Sequence, residues 1–305
     1  MAEVRAVDVA GPDAVRAVAA ARAVDPGEVL GVEDLWQMAA RDPRHVVLLA
    51  TEDGVDAAVA ELGPILSWDE PHGMWLRFAV LPGHHATAGA ALWDAVAAHC
   101  ARHGVTLLRG GVPEDQPETL RLLAAGGVHE VERSQRVVLR IPERPPDPEP
   151  PAGVALRSLA DDPALLDDLV ALDAETIPDI PGEGAVAQGQ GWWEDLLADG
   201  SFDPRTIILA VAEGRGVSMC ALRHHRARPD VAVVDYTATA RAWRGRGLAV
   251  LVKRACHAAA WDVGVREIRA WNHLDNAPMR AVNARLGYER ASDAVTVRGD
   301  LPPAA

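Results

Sequence analysis

The chain has 305 residues, 49% hydrophobic and 24% charged, a globular composition that excludes a largely disordered chain. Its formal net charge is −14, from 30 basic and 44 acidic residues, so neither nucleic acid nor an anionic membrane surface is expected as a partner. Three scattered cysteines, Cys100, Cys220 and Cys256, exclude a disulfide framework and a CxxC zinc site. Reduced thiols in a cytoplasmic protein are expected, because no charged leader precedes an apolar core and no apolar run approaches the ~18 residues of a membrane span.

In chain order, a short apolar strand at Val4 and Arg5 precedes an Ala-rich helix opened by Pro12. Val80-Leu81-Pro82 then runs into a helix over 92–100, and Gly127-Val128 follows a later helix. Residues 142–151 hold six prolines, which enter neither a helix nor a central strand and predict an extended spacer. Beyond it a strand over 154–158 leads to helices over 164–175 and 192–198. Strands over 206–212, 217–224 and 231–239 follow with short turns, as in an antiparallel meander. The helix over 247–262 carries an apolar face at Leu248, Leu251, Val252, Ala255 and Ala259. A strand over 267–271, a helix over 277–286 and a strand over 295–298 complete the chain. Asn276 suits an N-cap, Pro278 a first turn and Gly287 a helix stop.

The two halves repeat. Pro12 and Pro163 each open a helix, 151 residues apart, and Gly127 and Gly287 each end one, 160 apart. A slowly drifting offset is what a diverged duplication produces. The expected fold is therefore α/β, a mixed and mostly antiparallel sheet flanked by helices, occurring twice: a domain over 1–141, a linker over 142–151 and a domain over 152–305. Such a chain acts as a monomeric pseudo-dimer or as a homodimer.

The stretch Thr237-Ala238-Thr239-Ala240-Arg241-Ala242-Trp243-Arg244-Gly245-Arg246-Gly247-Leu248-Ala249 carries the chemistry. A strand passes through a glycine-rich turn into a helix, where unpaired N–H groups and the positive end of the helix dipole favour an anion. Gly245 and Gly247 let a phosphate approach the main chain, and Arg241, Arg244 and Arg246 add positive charge. A simple tight turn fits the glycines alone equally well. A dinucleotide fingerprint is excluded by its missing third glycine and by the hairpins before it, and a P-loop by the lack of Gly-Lys-Ser/Thr.

With its surroundings, this stretch resembles the acetyl-coenzyme A site of the GNAT superfamily of N-acetyltransferases. The pattern [Q/R]-x-x-G-x-[G/A] is matched by Arg244, Gly247 and Ala249, and the downstream Asn272, Asn276, Met279, Asn283 and Leu286-Gly287-Tyr288 match the family's later strand and helix. The resemblance covers the second half. It implies a tandem GNAT enzyme that acetylates a small-molecule amine, with acetyl-coenzyme A held by Thr237, Thr239, Arg244, Gly245, Arg246, Gly247, Leu248, Ala249, Asn272, Asn276, Met279 and Asn283. A thiol-pathway acetyltransferase and a non-catalytic coenzyme A-binding regulator are the alternatives. In the first half the corresponding turn is His85-Ala86-Thr87-Ala88-Gly89-Ala90, where His85 replaces the arginine and Ala88 the closest glycine, so that half is expected to have lost catalysis.

The resemblance also implies an oxyanion-binding amide near Thr239 on a splayed strand over 231–239. The usual base position on that strand is Val233. Strand alternation puts residues 233, 235, 237 and 239 on one face, so Asp235 is the nearest carboxylate for a base and Tyr236 points away; a structural salt bridge at Asp235 and deprotonation through water fit as well. The usual tyrosine acid is replaced by Asn283, seven residues from Asn276 and so on the same helix face. For the acceptor, the loop with Asp179 and Glu183 and the pair Trp192-Trp193 supply charge and stacking surface, although a solvated loop and core tryptophans fit as well. The adjacent pairs His84-His85 and His224-His225 point to opposite strand faces, so no metal is expected.

Overall fold

The structure, a computed structural model, describes residues 2–25, 31–65, 70–181 and 187–301. In chain order it contains β1 (Glu3–Ala6), α1 (Asp13–Val24), α2 (Val32–Arg41), β2 (Val46–Glu52), β3 (Val55–Pro64), β4 (Gly73–Val80), α3 (Ala90–His103), β5 (Leu107–Pro113), α4 (Pro117–Ala125) and β6 (His129–Arg140). There follow β7 (Val154–Ser158), α5 (Leu165–Thr176), α6 (Gln190–Ala198), β8 (Phe202–Ala212), β9 (Arg215–His224), β10 (Val231–Thr239), α7 (Leu248–Asp262), β11 (Glu267–His273), α8 (Ala277–Arg285) and β12 (Glu289–Asp300). The helices and strands repeat in the same order, as the internal offsets predict.

Two compact units result: residues up to Ser134 together with those from Ser292 onward, and Gln135–Ala291. This partition differs from the expected cut at the proline-rich linker. Ala294–Asp300 pair antiparallel with Leu107–Pro113 of β5, and Val295 and Val297 are buried in the first unit's core. Val137 and Ile141 are buried in the second unit's core, and Arg144 of the linker bridges Asp147 and Asp262. Strand pairing and burial assign these segments, not their position along the chain.

In the second unit β7, β8, β9 and β10 form the expected antiparallel meander, and β11 lies parallel to β10. Alternation along β8 divides its core. Ile207 and Leu209 face α5 and α6 with Leu169, Leu172 and Trp193, while Ile208 and Ala210 face α7 with Leu248, Val252, Cys256 and Ala260. The first unit repeats the pattern, β1 to β4 antiparallel and β5 parallel to β4. Among the described residues no helix is long and apolar enough to cross a membrane.

Candidate active site

The site begins where two parallel strands part. β10 and β11 pair at only three positions, Val231–Val233 against Glu267–Arg269, although β10 continues to Thr239. The remaining edge of β10 opens a cleft of about 670 Å³ between Val234–Thr239 on one side and Ala270–His273 on the other. The expected splay of this strand is thus observed.

At the mouth of the cleft, Gly245 and Gly247 take the left-handed conformation, with φ of +76° and +78°. Gly247 is the N-cap of α7 and has no side chain to satisfy the helix's first amides. A Cβ at either glycine would meet nothing within 4 Å. Their conformation and not internal crowding requires glycine, and the space above the main chain is open. Left-handed residues alternating with an ordinary one at a helix start form a nest of N–H donors suited to a pyrophosphate. Arg244 reaches back to the Thr239 carbonyl through Nε (3.1 Å). Arg246 does not line the cleft and stacks on Trp243, 4.4 Å from its ring.

Asp179 lines the cleft, but its carboxylate accepts from Arg241 at 2.8 and 3.0 Å and from Arg244 at 2.6 Å. Those hydrogen bonds hold its pKa down at about 2. Asp179 is therefore committed to the phosphate turn and is not the open acceptor-binding carboxylate its loop position suggests. Glu183 lies outside the described residues.

On the α8 side, Asn272, Asn276 and Met279 line the cleft, and Asn276 caps α8 by accepting from the Met279 amide at 3.2 Å. Asn283 does not line it. That side chain is buried and donates to Asn272 Oδ1 at 3.1 Å. Spacing by seven puts two residues on one face only within a continuous helix, and Asn276, with ψ of 62°, stands outside α8.

On the α5 side the alternation fails at one residue. A bulge between Val234 and Tyr236 leaves Asp235 without a partner on β9, and the strand's faces exchange there. Ala232 and Val234 pack toward α7, whereas Tyr236 and Ala238 pack toward α5. Asp235 bonds Arg223 (2.6 Å), whose guanidinium lies 5.6 Å from the ring of Phe202 in the α5-side core. Asp235 and Tyr236 thus both enter the cleft from the α5 side, contrary to the expectation that Tyr236 points away.

Thr176 donates to the Leu172 carbonyl (2.6 Å), so its single proton is spent and Tyr236 Oη donates to Thr176 Oγ1 (2.8 Å). Burial pushes the Tyr236 phenol up to about 12. Asp173 on α5 is buried and accepts from the Gln188 amide at 2.5 Å. Burial pushes its carboxyl up to about 6, with repulsion from Asp235 adding to the shift.

Trp192 and Trp193 pack edge to face, 5.0 Å apart, and Trp193 stands 5.1 Å from Phe202 in the α5-side core. They do not line the cleft, since the α6 face that carries them covers β8. Its aromatic walls are Tyr236, Trp243 and Trp271. Sequence reasoning assigned no role to Trp271, Thr176 or Lys253. Trp271 was signalled by its place before Asn272, whereas nothing local marks Lys253. Among the described residues no group of three His, Cys, Asp or Glu is placed to hold a metal.

The corresponding turn of the first unit is closed. His85–Gly89 form a helical turn continuous with α3. The Gly89 amide donates to the His84 carbonyl (2.9 Å), and the Ala90 amide to His85 and Thr87 carbonyls. Ala88 is fully buried, and a Cβ on Gly89 would stand 3.1 Å from Leu122. The Gly89 and Ala90 amides are spent within the helix and the space is filled.

A glycine nest at a helix start thus faces a cleft between two parallel strands that part. The sequence model of the Acetyltransferase (GNAT) family matches residues 171–288. The chain is 30% identical over 271 residues to a mycothiol acetyltransferase of Clavibacter michiganensis subsp. michiganensis, covering 83% of each chain. It is 31% identical over 294 residues to a mycothiol acetyltransferase of Kineococcus radiotolerans, covering 92% of this chain and 90% of that one. Among solved structures it resembles a GCN5-related N-acetyltransferase from Sphaerobacter thermophilus, with TM-score 0.74, 19% identity and coverage of 100% and 97%. It also resembles a tandem GNAT protein from the clavulanic acid biosynthesis pathway, with TM-score 0.73, 19% identity and full coverage of both chains. The chain belongs to the GNAT family of N-acetyltransferases.

Proposed function

We propose that this enzyme transfers the acetyl group of acetyl-coenzyme A to the amine of a small molecule in the cleft of its second unit. The observation that carries this reading is the open left-handed turn at Gly245 and Gly247, against the filled turn of the first unit. The nest and Arg244 hold the pyrophosphate, and Asn272 and the free edge of β10 border the coenzyme arm. Acetyl-coenzyme A supplies an activated acyl group as its thioester. Amides on the unpaired edge of β10 stabilise the oxyanion, each such donor contributing ~3 kcal/mol. Asp235, brought into the cleft by the bulge with Arg223 on one of its oxygens, takes the acceptor's proton.

A thiol-pathway amine, such as that of a cysteinyl sugar, is favoured as substrate by the mycothiol acetyltransferases that match most of the chain. Thiol release from acetyl-coenzyme A, screened against simple amines, amino acids, aminoglycosides and a cysteinyl sugar, tests both levels. Turnover with the cysteinyl sugar alone supports the narrower reading. Coenzyme binding without turnover on any acceptor overturns the transfer. Asp235→Asn is expected to lower kcat/KM ~10²-fold.

A further inference from the structure

Lys253 is the chain's single lysine, and it is 1% exposed. It stands on α7, six residues beyond Gly247, and borders the cleft beside Thr237. Its Nζ lies 5.2 Å from the centre of the Tyr288 ring. Around it are the Cys220 thiol of β9, the Cys256 thiol and His257 of α7, and Tyr288. Among the described residues no carboxylate pairs with its ammonium and no hydrogen bond holds it.

A buried cation without a partner is costly unless something in the site completes it. The surroundings do so only in part: a hydrogen bond with Cys256 and the Lys253 charge hold the Cys220 thiol down at about 7, while burial lowers the Lys253 ammonium itself. His257 is bonded to the Tyr288 hydroxyl at 2.9 Å, and burial with the neighbouring Lys253 charge keeps its pKa down at about 3. Thr237 Oγ1 donates to Cys220 Sγ at 3.6 Å, and Cys256 Sγ donates to the Cys220 carbonyl at 3.1 Å. The open side of Lys253 is the cleft. The one other proton donor that looks suited to the leaving group, Tyr236, already donates to Thr176.

We propose that Lys253 is a catalytic residue of the transfer: its ammonium takes up the negative charge that develops on the departing coenzyme sulfur. This rests on the acetyl-coenzyme A reading above. As the acceptor nitrogen bonds to the acetyl carbon, the carbon–sulfur bond breaks and its electron pair stays on sulfur. Lys253 Nζ donates a hydrogen bond to that thiolate, and the acceptor's proton leaves through Asp235. The ion pair made with the product is absent in the thioester, so Lys253 discriminates between the two coenzyme forms.

Calorimetric titration of the full chain with coenzyme A and with acetyl-coenzyme A, at pH 6.5 and 8.5, tests this without turnover. The wild type is expected to bind coenzyme A more tightly at the higher pH, relative to acetyl-coenzyme A, as the thiol ionises. Lys253→Met should weaken coenzyme A about tenfold at pH 8.5 and abolish that pH dependence, with acetyl-coenzyme A changed less than about threefold. If the methionine variant does not fold, Lys253→Gln serves in its place. Cys220→Ser should retain the pH dependence. Equal weakening of both ligands, no weakening of either, or loss of the pH dependence in Cys220→Ser overturns the proposal. A wild type that binds neither coenzyme form refutes the underlying cofactor reading instead.

Discussion

Gly247→Ala separates the phosphate cradle from the stability of the fold. The backbone there has φ of +78°, and holding a residue with a Cβ in that region costs ~1–2 kcal/mol. No atom lies within 4 Å of the added methyl, so nothing in the protein has to move. Tm should therefore fall by only roughly 2–8 °C. The methyl stands where a phosphate must lie against the main chain. Losing one charge-assisted N–H contact, ~1.5–3 kcal/mol, should weaken acetyl-coenzyme A about 10- to 150-fold in calorimetry. Gly89→Ala in the first unit is the companion. Its φ of −63° accepts alanine and its Cβ crowds Leu122, so stability changes while coenzyme affinity does not. Unchanged affinity in a folded Gly247→Ala protein would refute the cradle. A loss on Gly89→Ala would show that the first unit also binds coenzyme.

A fragment of residues 152–305 is expected not to fold independently. It leaves Ala294–Asp300 without β5 and removes Val137 and Ile141 from the second unit's core, a burial loss of ~3–6 kcal/mol; a cooperative melt near that of the whole chain would contradict this. Asp173 has its folded pKa raised to about 6 from the ordinary 3.8 of an aspartate, so its contribution to stability is fully present below about pH 4 and is lost as pH rises through about 6. Asp173→Asn should accordingly be more stable than wild type at pH 8, by at most ~3 kcal/mol, and equal to it at pH 4; equal denaturant midpoints at both pH values would count against it. Asp179→Asn releases Arg241 and Arg244 from their shared carboxylate, so coenzyme should bind at least as tightly as to wild type at low salt. A tenfold loss would show that Asp179 is needed to aim the guanidinium groups.

The glycine turn was legible in the sequence because its conformation is decided within seven residues. Left-handed backbone needs glycine, and a helix start carries free amides whatever surrounds it. The Asn276 cap, the apolar stripe of α7 and the antiparallel meander were legible for the same reason, since each follows from local propensity and short-range periodicity. The tertiary structure alone decided which face Asp235 and Tyr236 occupy, because the bulge exists only in the pairing of β10 with β9. It also decided that Asp179 serves two arginines more than sixty residues away, and that Asn283 and Trp193 are buried. The placement of 292–300 with β5, and of an unpartnered Lys253 at the cleft, belongs to the same class. Burial and partnership are properties of segments brought together from distant parts of the chain, and no local pattern of residue types encodes them.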